Sequence, residues 1–139
     1  MDEIDHKILD CLKKNSRMQW KDIGKEVHLS GQAVAFRVRK MEDNGIIQGY
    51  SAVTNERALG NIIAFITVFM ESADHHAFHT FVRAKNEIVE CHRISGDGCY
   101  LLKTVIKDHD ALTHLLDQIL HYGNYRVSLS LDTIVTSGN

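Results

Sequence analysis

The sequence predicts an α+β protein in which three short helices precede a β-α-β-β-α-β unit. Apolar residues recur at helical spacing through the first 50 residues, and an apolar run typical of a β-strand starts at residue 62. A polar segment that ends in Gly60-Asn61 separates the two patterns. The predicted parts are residues 1–50, a linker over residues 51–61, and residues 62–139.

The first two predicted helices are short and amphipathic. The first has apolar residues at helical spacing, namely Ile4, Ile8, Cys11 and Leu12. Asp2 is available as its N-cap. The second spans roughly residues 20–27, with a core side of Trp20, Ile23 and Val27. Gly24 costs about 1 kcal/mol relative to alanine in a helix interior, so we expect another helix to approach it closely.

The stretch "LSGQAVAFRVRKMEDNGII", residues 29–47, contains the start, body and end of a third helix. Ser30 is a good N-cap, and Asn44-Gly45 supplies a left-handed C-terminal turn. Because about three residues join this helix to the second one, a helix-turn-helix unit is predicted. A short extended segment is expected to follow over residues 46–53.

The third helix has two contrasting faces. At 100° per residue, Val34, Val38 and Met41 fall within about 40° of one another, which predicts the buried stripe. Phe36 then lies nearly opposite and faces solvent. Its neighbours on the outer face are Gln32, Ala35, Arg39 and Lys40. An exposed phenylalanine can be an ordinary surface residue or a contact to another subunit.

We favour a second interpretation, in which this face reads bases in the major groove of DNA. Gln32 would bond adenine, Phe36 would pack on a thymine methyl group, and Arg39 would bond guanine or a phosphate. Other donors would position the phosphates, and Ser30 can leave the positive helix N-terminus facing one. The expected partner is double-stranded DNA, and the candidate DNA-binding residues are Ser30, Gln32, Ala35, Phe36, Arg37, Arg39, Lys40, Arg17 and Lys21.

The second part is predicted to contain strands over residues 62–71, 87–95, 100–107 and 127–135, and helices over residues 74–85 and 110–122. This order is that of the ferredoxin-like unit. Asp97-Gly98 predicts a tight hairpin turn between the second and third strands. Leu120 is expected on the apolar side of the last helix. The last strand alternates through Val127, Leu129, Leu131, Thr133 and Val135.

The sheet of this second part is apolar on both faces over longer spans than two short helices can cover. A second copy of the chain could cover the remaining face. We therefore expect at least a homodimer.

Composition limits the class of protein. The 139 residues carry a formal charge of −2, with nine Lys and Arg against eight Asp and Glu in the first 50 residues. A DNA-binding role must therefore rest on where the cations lie. The three cysteines (Cys11, Cys91 and Cys99) are too few and too far apart for a disulfide framework or a Cys-type zinc site, which favours reduced thiols.

The sequence also predicts a cytoplasmic protein without a membrane partner. Its start, "MDEIDHKILD", is acidic where a signal peptide has a basic region. The longest apolar run, "IIAFITVFM", has nine residues. A membrane helix needs about 20.

Four segments carry a family resemblance: "DEIDHKIL", "NSRMQWKDIGKEVHLS", "AVAFRVRKMEDNGIIQGY" and "RISGDGCYLLKTVIKD". In this order and spacing, over nearly the whole chain, they resemble the Lrp/AsnC (feast/famine) family of bacterial and archaeal transcription regulators. The resemblance implies an N-terminal winged helix-turn-helix DNA-binding domain, a strand linker and a C-terminal ferredoxin-like RAM domain. It also implies homodimers that assemble to tetramers or octamers, DNA that is bent or wrapped, and in many members an amino acid bound between RAM domains.

Two positions depart from the family pattern. Gly31 follows the capping serine where members often have proline, which should loosen the helix start slightly. The effector loop of the family usually reads G-x-x-D-Y, and Cys99 stands where the aspartate often does. A bound α-amino group would lose a charge-assisted hydrogen bond of about 1.5–3 kcal/mol. The candidate effector residues are Gly96, Asp97, Gly98, Cys99 and Tyr100. We expect no cofactor and no ordinary amino-acid effector, so that the pocket is either empty or takes a different ligand.

Other functions have weaker support in the residues. His75 and His79 are four apart on a predicted helix, and His76, Cys91 and His92 add candidate metal ligands. No third ligand is specified, so surface histidines are the simpler interpretation and no metal site is predicted. An enzyme is not expected, because the sequence lacks a nucleophile elbow, a phosphate-binding glycine loop and an isolated carboxylate pair. The main alternative is an oligomeric ferredoxin-like module that senses a small molecule and binds DNA weakly.

Overall fold

A computed structural model describes residues 1–136 and divides the chain into two compact units. The first unit comprises residues 1–53 with residues 134–136, and the second comprises residues 54–133. The three-part division predicted from the sequence stays a prediction. Residues 137–139 of its last part lie outside the described residues.

The first unit contains three helices, α1 (Glu3–Lys14), α2 (Trp20–Val27) and α3 (Gly31–Asp43). Asp2 caps α1 and Ser30 caps α3, because a side-chain oxygen of each accepts a backbone N–H from the first turn. Gly45 takes a left-handed φ of 72° after α3. The N–H of Ile46 then donates to the Met41 carbonyl at 2.9 Å. Both predicted caps and the predicted helix end are confirmed.

One apolar core holds the three helices together. Its buried residues are Ile8, Leu12, Ile23, Val27, Val34, Val38 and Met41. The stripe predicted for α3 is therefore confirmed. The prediction for Trp20 is wrong, since this side chain is 39% exposed. Trp20 is the first residue of α2, where no preceding helical turn lies beneath a side chain that tilts toward the N-terminus.

Gly24 lies where the turn between α2 and α3 comes closest to α2. A Cβ atom at Gly24 would lie 2.3 Å from the carbonyl oxygen of Leu29. The N–H of Leu29 also donates to the Gly24 carbonyl at 2.9 Å. The close neighbour of Gly24 is therefore the turn backbone rather than another helix. His28 begins this turn in the left-handed conformation, with a φ of 60°.

The segment after α3 forms no paired strand among residues 1–136, so the extended segment expected over residues 46–53 is not part of a sheet. The secondary structure described for the first unit is accordingly helical, and these residues contain no β-strand that would form the wing that the family resemblance implies. Tyr50 connects this segment to α3, because its hydroxyl donates to Glu42 Oε2 at 3.2 Å.

The second unit contains β1 (Ile62–Met70), α4 (His75–Arg83), β2 (Ile88–Arg93), β3 (Tyr100–Ile106), α5 (His109–Ile119) and β4 (Gly123–Leu129). The four strands form one antiparallel sheet in the order β2-β3-β1-β4. This is the predicted β-α-β-β-α-β topology. The α+β fold class, with a helix-turn-helix unit before a ferredoxin-like unit, is confirmed.

The two faces of the sheet differ in burial. Alternate residues of β1, including Ile66, are fully buried and pack with Phe78 of α4 and Leu115 of α5 in one core. The intervening residues of β1 and β3 point to the opposite face. This "open face" carries the apolar residues Ile63, Phe65, Phe69, Leu101 and Val105. Phe65 at its centre is 38% exposed.

The helices of the second unit end slightly earlier than predicted. Leu120, expected on the apolar side of α5, is 50% exposed because the helix ends at Ile119. In the described part of the chain, no helix has both the length and the apolar character needed to cross a membrane.

The last strand is displaced from its predicted position. It runs over Gly123–Leu129 rather than over residues 127–135. Its pairing with β1 starts at Gly123 opposite Met70 and reaches Leu129 opposite Ala64. Because β1 begins at Ile62, it offers few further partners, and Leu131 beyond the strand is 91% exposed. Gly123 is needed at the start, since a Cβ atom there would lie 2.1 Å from the Phe69 carbonyl oxygen.

The connection between β2 and β3 is longer than the predicted two-residue turn. It spans residues 94–99, and its left-handed residue is Gly96, with a φ of 94°, rather than Asp97 or Gly98. Strand β2 forms one edge of the sheet. Its pairing with β3 is interrupted by a bulge between Ile88 and Glu90.

Candidate nucleic-acid interface

The outer face of α3 consists of Gln32, Ala35, Phe36, Arg39 and Lys40. Phe36 is 65% exposed, so the predicted orientation of its ring is confirmed. Ala35 is half-buried, and the three polar residues are exposed. The orientation follows from the opposite side of the helix, where Val34 and Val38 are held in the core. Whether this face contacts DNA stays a prediction.

The N-terminal end of α3 adjoins the first turn of α2. A Cβ atom at Gly31 would lie 3.2 Å from the backbone nitrogen of Lys21. Ser30 Oγ accepts the Ala33 N–H at 3.1 Å, which leaves its own hydroxyl hydrogen free to donate. Lys21 and Arg17 are exposed, and neither forms an ion pair with a carboxylate of residues 1–136. These groups have the chemistry that phosphate contacts need.

Arg37 differs from the other candidate DNA-binding residues. Its Nη1 atom donates to Asp2 Oδ2 at 2.7 Å and to Asp5 Oδ1 at 3.0 Å. Its side chain is 28% exposed, and Asp5 is more deeply buried. We call these three residues the Arg37 cluster. Arg37 was predicted to be a DNA-binding residue, although its helical angle lies only about 40° from that of Met41 in the buried stripe.

The Arg37 cluster changes the acidity of Asp2. The hydrogen bond from Arg37, followed by that from the Asp5 backbone N–H, lowers the pKa of Asp2 from 3.8 to about 2. The two carboxylates in turn raise the pKa of Arg37. Both groups therefore remain charged at neutral pH.

The candidate effector loop, residues 96–100, is only partly accessible. Gly96 and Asp97 are exposed, whereas Gly98 is buried against β1, where an added Cβ atom would lie 2.5 Å from Thr67 Cγ2. Cys99 is half-buried at the edge of the core, and its N–H donates to the Val68 carbonyl at 2.9 Å. The C-terminal part of the loop is thus anchored to β1, whereas Gly96 and Asp97 are accessible to solvent.

Tyr100, the last residue of this loop, is buried, and its hydroxyl forms hydrogen bonds with two histidines of α4. Its hydroxyl lies 2.8 Å from His75 Nδ1 and 2.8 Å from His79 Nε2. Both histidines are half-buried, so the interpretation of this pair as surface histidines is wrong. Their spacing of four residues was visible in the sequence, but their partner on β3 was not. Tyr100 and His79 also line a groove of about 430 Å³ between α4 and β2.

The structure offers little support for a metal centre. Residues 1–136 contain no group of three or more histidine, cysteine, aspartate or glutamate side chains arranged to hold a metal ion. The histidine pair that suggested one is instead engaged with the Tyr100 hydroxyl.

The first unit is a helix-turn-helix with cationic and aromatic residues on the outer face of α3, and it is joined to a ferredoxin-like unit. This combination defines a class of DNA-binding regulator with two functional parts. Two family models match the chain in the same order. The AsnC-type helix-turn-helix domain matches residues 1–42, and the Lrp/AsnC ligand binding domain matches residues 63–139.

Named relatives and solved structures agree with these models. The chain is 47% identical over 135 residues to the HTH-type transcriptional regulator LrpB of Bacillus subtilis, covering 96% of this chain and 91% of that protein. The structure of B. subtilis LrpC has a TM-score of 0.87 and 28% identity, with 99% of each chain covered. A transcriptional regulator of Neisseria meningitidis in complex with L-Met has a TM-score of 0.86 and 28% identity, covering 99% of this chain and 94% of that one.

The chain belongs to the Lrp/AsnC family of transcription regulators. It is a DNA-binding regulator of that type, with a helix-turn-helix domain and an Lrp/AsnC ligand-binding domain. The family is one of transcriptional regulators rather than of enzymes.

The Arg37 cluster predicts how stability depends on pH. The folded-state pKa of Asp2, about 2, lies below 3.8, so its charge stabilises the fold above about pH 3.8. This contribution is lost as the pH falls through 2. Asp2→Asn keeps an N-cap oxygen but removes the charge. Urea denaturation measures the unfolding free energy of this variant and of the wild type. We expect the difference between them to be largest near neutral pH and to become smaller between pH 4 and pH 2.

Arg37→Gln provides the control for this prediction. In that background the loss caused by Asp2→Asn should be smaller and should depend less on pH, because the largest cause of the lowered pKa of Asp2 has been removed. A loss caused by Asp2→Asn that is the same at pH 6 and pH 2.5 in the wild-type background would contradict the prediction.

Proposed function

We propose that the first unit recognises a specific DNA sequence by placing the outer face of α3 in the major groove. The observation that carries this proposal is the exposure of Phe36, at 65%, beside Gln32 and Arg39 on a helix whose opposite side is buried. A helix of this size fits the major groove, where each base pair presents a distinct pattern of donors, acceptors and methyl groups.

Each exposed side chain has a role that suits its chemistry. Gln32 can donate and accept hydrogen bonds at adenine, and Arg39 can donate to guanine or to a phosphate. Phe36 can pack against a thymine methyl group. Lys21, Arg17, Lys40 and the Ser30 hydroxyl would surround this contact and bind phosphates, which set the register of the protein on the duplex.

This function also implies where the protein acts. A regulator of transcription works where the DNA is, which in our proposal is the cytoplasm. The three free cysteines are compatible with that reducing compartment.

Base contacts and phosphate contacts should respond differently to mutation. Arg39→Ala removes a proposed base contact, so we expect binding to a selected operator to weaken by about 1–3 kcal/mol while binding to random duplex changes less. Lys21→Ala removes a phosphate contact and should weaken binding to both DNAs alike. Mobility-shift titrations at several salt concentrations measure both effects, with the operator selected from a random pool by the wild-type protein.

Two outcomes would contradict this division of roles. Equal losses on operator and random duplex for both variants would remove Arg39 as a base reader. A wild-type protein that ignores duplex DNA at low salt, yet gains thermal stability with small molecules, would instead favour a sensing module with weak DNA binding.

We also propose that two chains pair through the open face of the ferredoxin-like unit. This face presents five apolar side chains on adjacent strands, and the aromatic ring at its centre, Phe65, is 38% exposed. Lys103, the cross-strand neighbour of Phe65, lies 3.9 Å from Glu90 on the edge strand β2, and Arg126 of β4 covers the Phe69 ring at 5.5 Å. A patch that combines apolar side chains with charges of both signs suits a symmetric interface in which the same surface contributes twice.

A dimer brings two recognition helices to one DNA molecule. Larger assemblies of four or eight chains would present more of them, which would allow a single duplex to bend or wrap along the protein. These states differ in mass, which light scattering measures.

Phe65→Glu should disrupt the dimer, because it replaces the central aromatic ring of the interface by a charge that dimerisation would have to desolvate. We expect its mass by light scattering to fall to that of a monomer at concentrations at which the wild type is a dimer or larger. Leu120→Glu is the matched control, since Leu120 is 50% exposed at the end of α5, which packs on the covered face. An unchanged mass for a folded Phe65→Glu variant would contradict the proposed interface.

For the ligand-binding domain we propose that Cys99 weakens the response to amino acids. A related regulator from N. meningitidis was solved in complex with L-Met. In this chain, position 99 lacks the carboxylate that a bound α-ammonium group would need, and the thiol is half-buried beside the core. Asp97, exposed two residues earlier, is the nearest acidic residue along the loop.

Cys99→Asp should therefore create or strengthen a response to one or more amino acids. A ligand that binds the folded state raises the melting temperature, so a thermal-shift screen of the twenty amino acids measures the gain. Cys99→Asn is the control, because asparagine has the size of aspartate but no charge, and its melting temperature should not rise with any amino acid. The proposal is wrong if Cys99→Asp shows no shift, or if the wild type responds as strongly.

A further inference from the structure

Both carboxylates of the Arg37 cluster use both of their oxygens. Asp2 Oδ1 accepts the Asp5 N–H at 2.8 Å, and Asp2 Oδ2 accepts Arg37 Nη1 at 2.7 Å. Asp5 Oδ2 accepts the Asp2 N–H at 3.1 Å, and Asp5 Oδ1 accepts Arg37 Nη1 at 3.0 Å. One set of oxygens closes the first turn of α1, and the other set binds α3. The N-terminus of α1 is thereby connected to the middle of α3.

This connection is better organised than an ordinary surface ion pair. An isolated exposed pair contributes little, because two long side chains must be immobilised to form it. Here the reciprocal cap already fixes the side chains of the two aspartates, and the Arg37 side chain is only 28% exposed. Forming the ion pairs therefore costs little additional side-chain conformational entropy. The buried residues of α1, Ile8 and Leu12, lie one to two turns further along the helix, and Ile4 in the first turn is half-buried against the same core.

Arg37 also points away from the proposed DNA-reading surface. On α3 it lies about 100° from Phe36 and about 40° from Met41 of the buried stripe. Its guanidinium group is directed to the two acidic residues of α1. A phosphate near that group would have to approach two carboxylates, which repel it.

We infer that Arg37 is a positioning residue, which holds α3 in the orientation that reads DNA through its ion pairs to Asp2 and Asp5. It does not act as a phosphate contact. This inference rests on the proposed function, because it requires that α3 recognises DNA.

Positioning and electrostatics predict opposite effects when the two acidic residues are neutralised. Removing two negative charges from a DNA-binding protein should by itself strengthen binding to any duplex. If Asp2 and Asp5 position α3, their neutralisation should instead weaken binding to the operator. The sign of the change therefore distinguishes the two effects.

The test compares full-length variants on the selected operator and on random duplex over a range of salt concentrations. Asp2→Asn/Asp5→Asn neutralises the cluster while its amide oxygens can still cap α1. Glu3→Gln/Asp10→Asn is the matched control, because it removes two exposed carboxylates of α1 that lie outside the cluster. Arg37→Gln removes the cation, and a triple variant combines it with the two asparagines. Circular dichroism and thermal unfolding establish that each variant is folded at the assay temperature.

We expect Asp2→Asn/Asp5→Asn to weaken operator binding by about three- to tenfold without weakening random-duplex binding. The control pair should not weaken either. Arg37→Gln should weaken operator binding similarly with an unchanged salt slope, and the triple variant should be no worse than Arg37→Gln alone.

The inference is overturned if the cluster variant binds the operator as tightly as the control pair does. It is also overturned if Arg37→Gln lowers the slope of log affinity against log salt by about one unit on both DNAs, the effect of losing a phosphate contact. The wild type is measured first. If it does not bind its selected operator more tightly than random duplex, the proposed function itself is overturned.

Discussion

The close approach of the α2–α3 turn to the middle of α2 is the constraint on which the orientation of the helix-turn-helix unit depends. The carbonyl of Leu29 occupies the space that a side chain at position 24 would need, and Gly31 begins α3 against the backbone of Lys21. The tight turn determines which side of α3 faces the core. Its valines fill the core, and its phenylalanine and outer cations are left facing solvent.

Much of the fold could be predicted because apolar spacing and caps are local properties of the chain. Asp2, Ser30 and Gly45 mark helix ends through bonds to residues only a few positions away. The last strand lies earlier in the sequence than predicted. The reason is non-local, because the ends of β1 determine which residues of β4 can pair with it. "GNYR" has the composition of a loop, but β1 provides partners for it and provides few beyond Leu129.

The candidate site was predictable to the extent that one helix defines it. Phe36 could be placed outward from helical geometry alone, whereas Arg37 could not be assigned until α1 was seen beside it. His75 and His79 have the spacing of a metal-binding pair, yet a tyrosine from β3 lies between them and accounts for both. In each case the missing information was the identity of a partner distant in the sequence.

The bulged strand β2 has a consequence for how copies of this chain can associate. An edge strand with regular, unpaired backbone groups invites another strand to extend the sheet without limit, as in fibrils. Here the bulge beside Val89 interrupts the edge, and Glu90, His92 and Arg93 place polar groups along it. Growth of the sheet by strand addition at the β2 edge is thereby disfavoured.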